Sequence, residues 1–131
     1  MAGEPVLDTD VLIDYLRGAG PGRDLLRRLT PALSFRTTAV SAFELALGAS
    51  YERDRDAIDA IFTRCLALER PAAALAGLIQ RRLRAAGAPI DVRDALQAGI
   101  CLASGTPLVT RNVSHFARVE GLVVVAPDRW R

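Results

Sequence analysis

The chain is 131 residues long and half apolar, enough for one compact core and too short for two, so a single domain over residues 1–131 with one site is expected. Its formal net charge of +2 is too small to mark a nucleic-acid binder by itself, and Cys65 and Cys101 lack both CxxC spacing and a nearby histidine, which excludes a zinc site and leaves free buried thiols. No run of about eighteen uncharged apolar residues occurs and MAGEPVLDTD has no leader pattern, so a cytoplasmic protein without a membrane segment is expected.

Apolar residues ahead of Asp8, then Val11, Leu12, Tyr15 and Leu16 at helical spacing, predict a short strand running into a helix. Glycines across residues 18–22 break it, and a second helix follows over residues 23–29 with Leu25, Leu26 and Leu29 on one side. Residues 33–40, rich in Ser, Thr and Val, favour a strand. Ser41 opens a third helix through Phe43, Ala46 and Leu47; Ile58, Ile61, Phe62 and Leu66 mark its continuation or a successor beyond ERDRD. A short strand at residues 66–69 leads to an alanine-rich helix with Pro71 in its first turn and Gly87 at its end. Asp91 starts the next helix, which carries Ala95, Leu96, Ile100 and Leu102 and stops at Gly105. The late apolar runs PLVT and LVVVA read as buried strands. Strands alternating with helices predict a three-layer α/β/α sandwich around a mainly parallel sheet.

Parallel sheets collect functional groups beyond the carboxyl ends of their strands, and acids stand at three such places. Asp8 follows the first apolar strand, with Asp10 two residues on; either also suits a helix cap. Glu44 lies three residues after Ser41, the spacing of a capping box. Asp94 stands in the first turn of a helix that Asp91 caps, where the helix dipole alone would favour it. Acids at the starts of several helices can converge at one sheet edge. Two carboxylates 4 Å apart repel by about 4 kcal/mol at an effective dielectric near 20, so a cluster requires a cation. Oxygen ligands without histidine or cysteine favour Mg²⁺ or Mn²⁺, ions associated with phosphoryl chemistry.

The order LDTDVLIDYL, SAFELALGAS and PIDVRDALQAGICLASGTPLVTRNVSHFARVEGLVVV resembles a PIN domain, and within that family the VapC-type toxins, over residues 6–125. The resemblance implies a PIN-like fold and a quartet of polar residues around one or two Mg²⁺ or Mn²⁺ ions. It also implies endonucleolytic cleavage of RNA and a VapB-type antitoxin as partner, with a homodimer as the common assembly. Carried over by position, the catalytic and metal-holding acids are Asp8, Glu44 and Asp94. The fourth position, often aspartate in the family, falls on Asn112, an uncharged amide that binds Mg²⁺ more weakly. Asp10 and Thr110 stand behind these ligands, and His115 is placed on a short surface helix at the site's edge, dispensable for catalysis. A PIN-type RNA-processing nuclease without antitoxin and a catalytically inactive PIN-like binding module are the alternatives. DTDVL also resembles the opening of haloacid-dehalogenase-type phosphatases. Those enzymes, like phospho-accepting response regulators, use a lysine, whereas all 17 basic residues here are arginine.

Overall fold

The computed structural model describes residues 3–131. Val6–Leu7 form β1, and Thr9–Arg17 form α1 directly after it. The break before α2 (Gly20–Leu29) is short: Gly18 ends α1 and Ala19 already precedes α2, three residues ahead of the expected start. β2 is confined to Thr37–Thr38, because Thr38 turns the chain into α3 (Ala39–Leu47) with its own hydroxyl accepting from the Ser41 N–H at 3.2 Å. A separate α4 (Arg55–Ile61) follows, then β3 at Cys65–Leu66, one residue earlier than expected. α5 (Arg70–Ala85), α6 (Val92–Ser104), β4 (Leu108–Val109), α7 (Val113–Phe116) and β5 (Val124–Val125) complete the series.

Among the described residues all strand pairing is parallel: β1 pairs with β4 and β4 with β5, while β2 pairs with β3. A single parallel bridge from Val6 to Arg36 joins the two ladders. Strand alternation explains the three layers, since neighbouring residues of a strand face opposite sides. Leu7 and Val109 pack with Leu12, Leu25, Leu26 and Ile61 of α1, α2 and α4. Val6 and Leu108 pack with Ala76, Ala98, Cys101 and Phe116 of α5, α6 and α7 on the other side. Each fully buried Leu or Val of this kind contributes about 1.5–3 kcal/mol relative to exposure. α5 and α6 meet so closely that a Cβ on Gly99 would lie 2.4 Å from the Ala72 carbonyl oxygen, a contact only glycine permits.

Two expectations are corrected. Cys65 is exposed on β3, not buried in a helix, while Cys101 is buried in α6. β5 is only half-buried because it lies at the sheet edge. Among the described residues no helix is long and apolar enough to cross a membrane.

Candidate functional site

The register of β1 against β4 sets the site's centre. Val6 pairs with Leu108 and Leu7 with Val109, and backbone bonds from Asp8 N to Val109 O and Thr110 N to Val125 O carry the ladder one step further. Asp8 therefore stands beside Thr110, whose hydroxyl donates to Asp8 Oδ2 at 2.8 Å. On the Asp8 Oδ1 side the Thr9 N–H donates at 3.0 Å and the Gln97 side-chain amide at 3.1 Å. Asp8 is both the cap of α1 and a buried acid at the strand end. Burial, then the neighbouring charge of Asp10, push its pKa up to about 7, against the pull of the Thr110 and Thr9 donors.

Beyond Asp8 the surface opens into a cleft of about 260 Å³, lined also by Thr9, Asp10, Ile13, Glu44, Asp94, Asn112 and Phe116. The acids reach it from different elements: Asp10 from α1, Glu44 from α3 and Asp94 from the first turn of α6. Asn112 comes from the loop between β4 and α7, and its side chain makes no capping bond to α7. Asp10 Oδ2 accepts from the Arg111 N–H at 3.1 Å, whereas its Oδ1 is buried with no partner. Burial raises the pKa of Asp10, and burial likewise raises that of Asp94 against the opposing effect of His115.

The capping-box alternative for Glu44 is overturned. Thr38, not Ser41, caps α3, and Glu44 Oε1 instead accepts from the Thr9 hydroxyl at 2.7 Å. Glu44→Gln preserves that acceptor and removes no cap, so its melting free energy should stay within about 0.5 kcal/mol of the parent. A loss of 1 kcal/mol or more in a denaturant titration would restore the capping role. The cap reading of Asp91 stands: its Oδ1 accepts from the Arg93 N–H at 2.8 Å.

Three participants were not legible as site residues. Gln97 is 1% exposed within α6 and bridges Asp8 to the Ser41 hydroxyl at 3.2 Å while accepting from Thr38. Thr9 and Ser41 share a hydroxyl–hydroxyl bond of 2.8 Å, tying α1 to α3. One signal was available for Gln97, since it lies three residues after Asp94 and so one helical turn along the same face. Arg93 lies 3.1 Å from Asp91 and 3.7 Å from Glu44, and Arg111 pairs with buried Asp14 at 2.8 Å.

The donors around the cleft are all oxygen: carboxylates from Asp8, Asp10, Glu44 and Asp94, and an amide oxygen from Asn112. Together with the unpartnered Asp10 Oδ1, that set fits a hard divalent cation. Among the described residues no three acid, histidine or cysteine side chains close around one point; Asp94 meets His115 and Glu44 accepts from Thr9.

Residues 6–122 match a family model described as "PIN domain". The fold is similar to VapBC from Salmonella typhimurium, 21% identical over 96% of this chain and 99% of that one, with a TM-score of 0.79. It is also similar to VapBC2 from Rickettsia felis, 17% identical over 92% and 96%, at 0.76. A toxin–antitoxin complex from Klebsiella pneumoniae gives 21% identity over 95% and 98%, at 0.74. No curated protein matches the sequence.

Proposed function

This chain belongs to the PIN-domain family, and on that premise we propose that it is a Mg²⁺- or Mn²⁺-dependent endoribonuclease serving as the toxin of a toxin–antitoxin pair in the cytoplasm. The observation that carries this reading is the meeting of Asp8, Glu44 and Asp94, from three separate elements, on one open cleft. These acids would hold the ion, with Asn112 at a fourth position and Asp10 and Thr110 behind them. A bound Mg²⁺ or Mn²⁺ supplies an activated water and offsets charge that develops on the scissile phosphate.

The chain's own groups prepare that chemistry. Three donors to Asp8 fix both its oxygens, so little reorganisation is left for the moment of reaction. Thr9 holds one oxygen of Glu44, and the other, 3.7 Å from the Arg93 guanidinium, would complete an ion's shell or orient water. Arg93, partly exposed beside Glu44, would meet the RNA backbone. Asn112 brings no charge, so one ion is the expected load. That amide is also the observation favouring a catalytically inactive module, and cleavage by the purified protein decides against it.

The fold is shared with chains found in toxin–antitoxin complexes, which supports a VapB-type antitoxin as partner. An open acidic cleft suits an inhibitor that inserts an arginine or lysine among Asp8, Glu44 and Asp94. Phe43 and Leu47 stand 57% and 68% exposed one turn apart on α3 and would supply a homodimer contact, whereas Ile58 and Ile61 belong to the core. Expressing this chain alone should arrest bacterial growth, and co-expressing the small protein encoded beside it should restore growth. Neutralising the three acids together should weaken that protein's binding by about tenfold or more. Harmless expression of soluble, folded protein with no binding neighbour would leave an RNA-processing nuclease or a catalytically inactive module as the reading.

A further inference from the structure

His115 lies 21 residues from Asp94 in sequence, yet α7 brings its Nε2 to 2.9 Å from Asp94 Oδ2. The contact is partly sheltered, with His115 and Asp94 side chains 22% and 30% exposed. The imidazole is also braced, since its ring stands edge-on to Phe116 at 5.6 Å between centroids and 89° between planes. Phe116 is itself 1% exposed within the α5–α6–α7 core. A ring locked against a buried neighbour holds its N–H in a fixed direction at low cost in side-chain entropy. Asp94 has no other side-chain or backbone donor among the described hydrogen bonds, so its orientation depends on this one contact.

We infer that His115 is a positioning residue for the metal site: its Nε2–H occupies Asp94 Oδ2 and thereby turns Oδ1 toward the cleft shared with Asp8 and Glu44. The inference rests on the reading of Asp94 as a ligand. Groups that orient a metal ligand from behind change metal affinity by about 10–100-fold when removed, while the reacting atoms stay untouched. A histidine acting in the chemistry itself would behave differently, because excess metal could not compensate for its loss.

The test is a Mn²⁺ titration by calorimetry on the whole chain, comparing wild type with His115→Phe and His115→Gln. Phenylalanine keeps the ring against Phe116 and removes the donor; glutamine places an amide N–H at a distance from Cα similar to that of Nε2. His115→Phe should bind Mn²⁺ about tenfold more weakly and His115→Gln should recover most of that loss. Near-wild-type RNA cleavage by His115→Phe should return at saturating Mn²⁺. Equal Mn²⁺ affinity in wild type and His115→Phe overturns the positioning role and leaves the proposed nuclease standing. A cleavage defect that persists at saturating Mn²⁺ overturns it in favour of a role in the reaction, and absence of Mn²⁺ binding by folded wild type overturns both readings. Melting curves for both variants establish that they fold.

Discussion

Asp94→Asn and Asp8→Asn are each expected to lower Mg²⁺- or Mn²⁺-dependent RNA cleavage by about 10²–10³-fold, the scale on which removal of one preorganised group stabilising transition-state charge is felt. Neither change removes a buried apolar group. Asp94 is partly exposed, and its asparagine can still accept from His115. Asp8→Asn keeps the α1 cap, since asparagine and aspartate are equally good caps and the retained oxygen can still accept from Thr9 and Gln97. The loss should therefore fall on turnover with the fold intact, which single-turnover kinetics beside a melting curve will separate. Glu44→Gln should likewise lose cleavage at unchanged stability. Near-parental cleavage by either aspartate variant would remove that residue from the metal site.

The second large effect concerns stability without metal. Burial and the charge of Asp10 hold Asp8 near pKa 7 against an ordinary value of 3.8, so the fold favours its protonated form. A raised carboxyl contributes stability that is complete below the unfolded pKa and is lost as pH rises through the folded one. Three pKa units correspond to about 4 kcal/mol, so the metal-free protein should lose up to that amount between about pH 4 and pH 8. Asp10 and Asp94, also raised, act in the same direction. Asp8→Asn should flatten this slope and be the more stable protein at pH 8, and added Mn²⁺ should restore stability to the wild type alone. Denaturant titrations at pH 5 and pH 8 in the presence of EDTA will show it; a wild type that gains stability with rising pH would contradict the repulsive-cluster account.

Much of the architecture is legible because apolar periodicity and breakers act locally. β1, β4 and the long α5 and α6 follow from their own residues, and Asp91 announces the start of α6 by an interaction two residues away. α3 begins earlier than its residues suggest. Thr37, Thr38 and Val40 carry strand propensity, so the extended segment reads through to Val40; what ends it is the Thr38 hydroxyl, which offers the Ser41 N–H a partner and starts the helix at Ala39. That shift of the cap by three residues, from Ser41 to Thr38, takes Glu44 out of a capping box and leaves it a cleft residue. The site acids could be named from position and resemblance. Their supports could not, because Gln97 meets Asp8 through contacts 89 residues apart in sequence and His115 meets Asp94 across 21 residues, pairings that only the folded chain brings about. Cys65 differs for a related reason: a thiol close to Ile61, Phe62 and Leu66 suggests core, whereas among the described residues β3 pairs with β2 alone and leaves it at the surface.

On the proposed reading, the oxygen cleft at the end of β1 and β4 supports metal-dependent hydrolysis of RNA. The most direct measurement incubates the purified chain with end-labelled RNA in Mn²⁺ or in EDTA and identifies the termini of the fragments. Internal cuts are expected with Mn²⁺ and none with EDTA, and the fragments should lack 2′,3′-cyclic phosphate, because water rather than the ribose 2′-hydroxyl attacks phosphorus. Cleavage that persists in EDTA, fragments ending in cyclic phosphate, or intact RNA after incubation with folded, Mn²⁺-loaded protein would contradict it.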